Sequence, residues 1–359
     1  MIRSAYAVIK LEHLAHNLNI VRSFAPNSRI MAVVKADAYG HGLVKTAQAL
    51  NQADAFAVSC ANEALELRAA GILHPIICLQ GFNNAKQLQQ IVDANIQTVI
   101  HSNFQIKLLN ECNLKQALQV WLKIDTGMSR LGIAPKDTKD TYQKLLDTKR
   151  VAKIRFMTHF ANADLLDEKS IQDQLQKFAH ATDAFPDCEK STANSAATLA
   201  YSSSQFDWVR PGLALYGISP YQAGQIQPDT TSLRPVMNLY APIIAIKNCQ
   251  KGDRIGYGGT YTCPQDMRIA VVAIGYADGY PRSINHHTKA SVNSAITQIV
   301  GRVSMDMLTI DITNIDAEID DAVELWGDEI PITEVADHAN VIPYELICGI
   351  SGNVERQYE

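Results

Sequence analysis

Residues 31–42 read MAVVKADAYGHG, a short apolar run that stops on a lysine. A strand that packs Met31, Ala32, Val33 and Val34 into a core has no structural use for Lys35, because an ammonium buried without a partner is costly. Either Lys35 caps the strand at the surface, or it sits in a cleft where its amine loses a proton readily and serves as nucleophile or base. Outward from this stretch the same texture recurs. Between about residues 28 and 218, the runs IMAVVKA, AFAVSC, PIICLQ, IQTVIH, QVWLKID, KIRFMTHF, a weak STANSA and LALYGI alternate with segments of helical period such as ANEALELRAAG, AKQLQQIVDAN and SIQDQLQKFAHATDAF. Eight strand signals separated by helices predict a parallel (β/α)8 barrel of the TIM type. The competing doubly wound sheet usually has fewer strands and a phosphate loop after the first, and no G-x-G-x-x-G follows here.

The texture changes after residue 219. SPYQAGQIQPD is a Pro/Gly linker, and beyond it LYAPIIAIKNC, MRIAVVAIGYA, ITQIVGRV and MLTIDIT, broken by glycine turns, predict a mainly antiparallel β domain. The expected division is a barrel over 1–222 and a β domain over 223–359. The opening run AYAVIKL fits a strand of either, so residues 1–10 are a candidate strand of the β domain.

Composition narrows the function. The 37 acidic and 32 basic residues give a net charge of −5, with the basic residues scattered along the chain, which is unsuited to nucleic acid or a membrane surface. Seven cysteines, at 60, 78, 112, 188, 249, 263 and 348, form an odd set with no Cys-x-x-Cys pair, which argues against a disulfide framework and a zinc site. Glu12, His13 and His16 interrupt any signal-peptide core, and no stretch is apolar for a membrane-spanning length. A cytoplasmic protein is expected.

In a barrel of this kind, functional groups gather where strands end and the following loops begin. Lys35 ends the first strand. KIDTGMSR brings Lys123, Asp125 and Arg130 to the end of the fifth, THFANAD brings His159 and Asp164 to the sixth, ANSAA brings Asn194 and Ser195 to the seventh, and WVRPG brings Arg210 and Gly212 to the eighth. Singly, each is an ordinary surface charge, structural histidine or helix cap. Jointly they place polar groups from five strands on one rim. A serine among backbone N–H groups in the last units of a barrel suits a phosphate. A lysine amine beside it suggests pyridoxal phosphate held as a Schiff base.

Seven blocks then fall in a familiar order: AVVKADAYGHG at 32–42, KIDTGMSRLG at 123–132, THFA at 158–161, RPGLALYG at 210–217, GYGGTY at 256–261, IGYADGY at 274–280 and VGRVSMD at 300–306. In them the chain resembles the alanine racemases, pyridoxal 5'-phosphate enzymes that interconvert L- and D-alanine. The resemblance implies that Lys35 and Tyr257 are the two acid/base groups, with Lys35 also the Schiff-base lysine. It implies that Tyr39, Ser195, Gly212 and Leu213, with Asn194 nearby, hold the phosphate, and that Arg210 faces the pyridine nitrogen. His159 would link Arg210 to Tyr257. Arg130 and the N–H of Met305 would receive the substrate carboxylate, with Lys123 matching a lysine that is carbamylated in some members. Asp164, Tyr276, Arg282, Arg302 and Asp306 match supporting or entrance residues. A homodimer with composite sites is implied as the partner arrangement. The chain departs from the family where a C-x-x-S-Y-R pattern often carries a phosphate-contacting Tyr: here CGISGN puts Gly352 in that place.

The chemistry agrees with these types. Racemisation removes a proton from one face of the α-carbon and returns one to the other, so two bases must stand on opposite sides. An arginine, unlike a carboxylate, cannot stabilise a second positive charge beside it. A pyridine nitrogen facing Arg210 therefore makes a weak electron sink, which favours rapid reprotonation over transamination. A racemase of broader range (serine or others), a barrel-type decarboxylase and a cofactor-homeostasis protein remain as alternatives. The sequence leaves open a biosynthetic or a catabolic role.

Overall fold

The computed structural model of the chain describes residues 5–221 and 230–359; the expected boundary at 222/223 lies outside them. Eight parallel strands close into a barrel in sequence order: Arg29–Val33, Ala55–Val58, Ile76–Cys78, Gln97–Ile100, Leu118–Lys123, Val151–Met157, Lys190–Ser191 and Trp208–Val209. The eighth pairs back on the first, with Ile30 opposite Val209. Parallel strands wrapped by helices are covered on both faces, so they read as unbroken apolar runs. All four residues of Ala55–Val58 are buried, as are Ile76–Cys78.

Two of the expected strands are corrected. LALYGI is not the eighth strand: that strand is Trp208–Val209, and Leu213–Tyr216 forms a 3-10 turn in which the Leu215 N–H donates to Gly212 O at 2.8 Å. All four residues of the turn are buried, so they lack the polar face that would have set a helical period apart from a strand. From STANSA only Ser191 belongs to a strand, and Ser195 already opens the helix Ser195–Ala200.

The opening strand Tyr6–Ile9 joins the β-sheet, not the barrel. It runs antiparallel to the long strand Met237–Cys249, with Tyr6 opposite Tyr240, and parallel to the final strand Glu355–Tyr358. Met237–Cys249 also pairs antiparallel with Met267–Val272 and Ala322–Trp326. Two helices unannounced by the sequence pattern, Ile332–Ala339 and Pro343–Gly349, interrupt the strands of this half. The second packs onto the barrel mouth: a Cβ on Gly40 would come within 2.2 Å of Ile347 O, and Gly40 also has φ +79°, so only glycine fits. Among the described residues, no helix is long and apolar enough to cross a membrane.

At the end where the barrel strands begin, Arg29, Lys153 and Arg155 converge on Glu189, with Arg29 at 2.5 Å and Lys153 at 3.2 Å. The two arginines also lie over the rings of Trp208 and Trp121. Burial alone would raise the Glu189 pKa, but hydrogen bonds from Arg29 and Arg155 outweigh it and hold it at about 2. This end is a salt-bridged cluster in which one carboxylate holds three cations together.

Candidate active site

The other end opens into a cavity of about 510 Å³ lined by Lys35, Tyr39, Lys123, Arg130, His159, Asn194, Ser195, Arg210 and Gly212, together with Tyr344 and several apolar side chains. Apart from Tyr344, these polar residues sit at the end of a barrel strand or in the segment that follows it. Lys35 follows the first strand, Lys123 is the last residue of the fifth, His159 lies two beyond the sixth, and Arg210 directly follows the eighth.

After Lys35 the chain makes an unusual turn. Ala36, Asp37, Ala38 and Tyr39 all have φ between 52° and 55°, a run of left-handed turn built without glycine. Each such residue costs roughly 1–2 kcal/mol. The turn is held by several bonds at once: the Ala36 N–H donates to Glu63 at 2.6 Å, the Leu43 N–H to Asp37 Oδ1 at 2.8 Å, and the Gly42 N–H to Asp37 O at 3.0 Å. Strain concentrated beside a chemical group is a mark of a working site. Here it sets Lys35 and Tyr39 on one cavity wall.

Arg210 is 5% exposed, and its guanidinium donates to Ser191 Oγ (2.6 Å), Thr158 O (2.6 Å) and Thr192 O (3.2 Å). Burial pulls its pKa down to about 10, still cationic at neutral pH. Its Nη2 lies 3.4 Å from His159 Nδ1. A guanidinium only donates, so Nδ1 accepts and the imidazole proton sits on Nε2. Burial, then the nearby Arg210, Lys123, Arg130 and Lys35, hold the His159 pKa well below its ordinary value. It is a neutral link. Burial also lowers Lys35, with Arg130 adding to the effect and Cys348 and Glu63 opposing it. Lys123 falls to about 8 for the same first reason, with Arg210, Arg130 and Lys35 behind it.

On the seventh and eighth units, Ser195 Oγ accepts the N–H of Gly212 at 2.8 Å and of Ala214 at 3.3 Å, leaving its own proton to donate. Asn194 caps the short helix by accepting the Ala197 N–H at 3.0 Å. A Cβ on Gly212 would fall 2.5 Å from Tyr39 Oη, so glycine lets that hydroxyl approach the backbone. Leu213 and Asp164 line an adjoining cavity of about 810 Å³ instead, which shares Ile342 and Tyr344 with the first.

Tyr257, Met305, Tyr276, Arg282, Arg302 and Asp306 do not line either cavity within the chain. The β half gathers most of them along one loop. Gly256 abuts the Arg302 backbone, and the Tyr276 and Ala277 N–H groups donate to Ser304 O and Met305 O. Asp306 is half-buried beside Met305, and Arg282 is exposed nearby in sequence to Tyr276. Tyr257 is 67% exposed and Met305 54%. Gly352 lines neither cavity, and a Cβ there would touch nothing. Sequence reading missed Tyr344, Cys348 and Glu63. The first two lie on the unexpected helix Pro343–Gly349, and Glu63 was hidden in a segment notable only for its helical period.

A barrel with a strand-end lysine, a serine–amide cradle and an attached β-sheet defines the barrel-type class of lysine-dependent cofactor enzymes. Residues 9–220 match the family model described as alanine racemase, N-terminal domain, and residues 236–358 match alanine racemase, C-terminal domain. The catabolic alanine racemase of Pseudomonas putida is 43% identical over 358 residues, covering 99% of each chain. Among solved structures, the alanine racemase of Acinetobacter baumannii superposes with a TM-score of 0.93 at 37% identity, covering 99% of this chain and 100% of that one. The biosynthetic alanine racemase of Pseudomonas aeruginosa gives 0.94 at 35%, covering 99% of both. The chain belongs to the alanine racemase family.

Proposed function

We infer that the chain interconverts L- and D-alanine with pyridoxal 5'-phosphate bound in the barrel mouth. The observation that carries this is the charge of the cavity: Lys35, Lys123, Arg130 and Arg210 line it, and among the described residues no carboxylate does. Such a site calls for anions, and a phosphate and an amino-acid carboxylate supply them. The residues present fit the cofactor. Ser195 has a proton to donate, and among the described residues Arg210 makes its hydrogen bonds through Nη1 and Nη2, leaving Nε for a ring nitrogen. When bound, the cofactor supplies a lysine-linked electrophile that acidifies the substrate's α-C–H.

The chain's residues then divide the work. Lys35, its pKa lowered by burial, takes and returns a proton on one face. Tyr257 serves the other. His159, neutral and oriented by Arg210, holds the hydrogen-bond chain between them. Arg130 and the Met305 N–H receive the carboxylate, and Asn194, Tyr39, Gly212 and Leu213 complete the phosphate end. Lys123, with a pKa of about 8, is partly neutral near physiological pH and able to add CO2. In that step the amine nitrogen bonds to carbon and releases one proton, leaving a carbamate anion that would orient Arg130. Asp164, Tyr276, Arg282, Arg302 and Asp306 shape the entrance.

Tyr257 lies outside the chain's own cavity, exposed beside other uncovered apolar side chains, Tyr276, Met305 and Met307. That supports a two-fold dimer in which each β domain closes the partner's barrel. We take the domains as 1–222 and 223–359, with residues 1–10 in the β domain, and assign the protein to the cytoplasm on its seven free thiols.

A panel of both enantiomers of each amino acid, read by change of optical rotation, tests the substrate. Alanine should give the highest kcat/KM, and a higher value for serine or another amino acid would replace it. Refolding Lys35→Ala chains together with Tyr257→Ala chains tests the dimer. Random pairing makes about half the dimers mixed, each with one intact site, so roughly a quarter of parental activity should return. No recovery would mean that Tyr257 acts within its own chain.

A further inference from the structure

Cys249 ends the long strand Met237–Cys249, and Cys263 directly follows the short strand Tyr261–Thr262. Between them the chain turns, runs out along Arg254–Ile255, rounds Tyr257 and pairs back, with Arg254 opposite Thr262 and Ile255 opposite Tyr261. At the base of this hairpin the Cys263 N–H donates to Asp253 O at 2.8 Å, and the Gly252 N–H donates to Cys263 O at 2.9 Å. These bonds hold the Cys263 backbone against the turn that follows Cys249, and the two thiols are themselves hydrogen-bonded. Cys263 is 1% exposed, whereas Cys249 is half-buried.

The hairpin stands on a small core of its own. Ile255, Cys263, Met267 and Val300 belong to a cluster separate from the main core, with Cys249 and Tyr261 packed against it. The tip is made of Gly256, Tyr257, Gly258 and Gly259, and its three glycines have φ of 71°, 73° and 53°. Glycines bring no side chains to pack, so the placement of Tyr257 depends on the base below it, where the two thiols lie.

Two thiols in contact need lose only two protons and two electrons to join, and a low-molecular-weight disulfide such as oxidised glutathione can take them. Burial raises the Cys263 pKa and shields that sulfur, so the first attack falls to Cys249. The Cys249 thiolate bonds to one glutathione sulfur and expels the other as a thiolate. Cys263, deprotonated, then attacks the Cys249 sulfur and expels the second glutathione. The protein dithiol is oxidised to a disulfide, and the glutathione disulfide is reduced to two thiols. A disulfide sets its sulfurs about 2 Å apart, closer than two thiols in contact can come, so its closure shifts the base of the hairpin.

We propose that Cys249 and Cys263 form a dithiol modification site whose disulfide, made with a low-molecular-weight disulfide as oxidant, displaces Tyr257 and slows proton transfer on its face of the substrate. The bond itself stands apart from the function proposed above; its consequence for Tyr257 rests on that reading. In a reducing compartment such a bond is transient, which makes the pair a sensor and not a staple.

The test incubates the full-length holoenzyme with oxidised glutathione, alkylates the remaining thiols and reads the digest by mass. A peptide linked through Cys249 and Cys263 should appear, and dithiothreitol should remove it. Exchange of the α-proton in heavy water should fall at least about tenfold for L-alanine and less than about twofold for D-alanine, and dithiothreitol should restore both. Cys249→Ser and, separately, Cys263→Ala should keep their L-alanine exchange through the same treatment. Absence of the linked peptide would overturn the proposal. So would a linked peptide with unchanged exchange, or with equal losses for the two enantiomers. A loss that persists in both variants would belong to another thiol, such as Cys348 near Lys35, and would also overturn it. A reduced parent that exchanges neither enantiomer would remove the function reading, and the link to Tyr257 with it, before any oxidant is added. Normal exchange by the parent without a linked peptide would remove this inference alone.

Discussion

The two ends of the barrel use the same residue types to opposite effect. Where the strands begin, Arg29, Lys153 and Arg155 meet Glu189, and a carboxylate bridges the cations. Where they end, Lys35, Lys123, Arg130 and Arg210 face one cavity with no carboxylate among the described residues of its wall. Bringing like charges together out of water is unfavourable unless something of opposite sign arrives. The first end therefore spends its electrostatics on holding the fold, and the second stores a demand for anions that only ligands meet. Burial first, and the neighbouring cations after it, depress the pKa values of Lys35, Lys123 and His159.

Substitutions at the two ends should separate activity from stability, and the largest effect belongs to Lys35. Lys35→Ala should lower racemisation at least about 10³-fold in both directions, since on the proposed reading it removes the attachment point and one base together, while the unfolding midpoint in urea holds or rises. A large fall in stability instead would mean that Lys35 is structural. Next comes Tyr257→Phe, followed by α-proton exchange in heavy water for each enantiomer separately. Exchange from L-alanine should drop by roughly 10²–10³-fold, whereas Lys35 should still exchange the proton of D-alanine. Equal losses for both enantiomers would contradict the division between two faces.

At the strand-start end, Glu189→Gln should leave kcat nearly unchanged and cost about 2 kcal/mol of stability at pH 7, because solvent screens part of a cluster whose cations Arg29 and Lys153 are partly exposed. The sign of its pH dependence is set by the lowered carboxylate. In the parent the stabilisation is complete above the ordinary pKa of 4.5 and fades as pH falls through about 2. The parent–variant gap measured by urea unfolding should close over that window, and a gap that persists below pH 2 would discount the ion cluster.

The smallest effect is expected at Lys123, and it has the opposite sign. The amine has a folded pKa of about 8 against an ordinary 10.5, so the unfolded chain binds more protons between these values and stability rises with pH there. Below pH 8 the group is a burden. In carbonate-free buffer, Lys123→Met should stabilise the chain by on the order of 1 kcal/mol at pH 7, with the advantage vanishing by about pH 10.5. If adding bicarbonate instead stabilises the parent and not the variant, the carbamate forms. No response to pH or bicarbonate would mean that solvent already screens this charge.

Much of this was open to reading from residue order. Strands buried on both faces leave unbroken apolar runs, so six such runs with helices between them, together with two whose strands lay elsewhere, spelled a barrel, and the polar residues following the runs marked the rim. Lys35, Lys123, His159, Ser195 and Arg210 were all found that way. The opening strand's choice of sheet was not, because AYAVIKL is apolar enough for either half and only pairing with Met237–Cys249 and Glu355–Tyr358 decides it. The left-handed turn at Ala36–Tyr39 was equally silent. Ala, Asp, Ala and Tyr carry no local preference for positive φ, and the conformation is imposed by Glu63 and the approach of Ile347, contacts of 27 residues and more along the chain.

Residue order by itself thus determined which side chains stand at the strand ends, because a strand buried on both faces stays apolar until it reaches the rim. What only the tertiary structure decided is the chemical state of those side chains. The lowered pKa values of Lys35, Lys123 and His159, the orientation of His159 by Arg210 and the arrival of Tyr344 from a helix three hundred positions beyond the first strand all depend on how much water is excluded and which charges share the cavity. Burial and Coulomb energy are properties of distance in space, and the chain order holds no measure of that distance until the barrel closes.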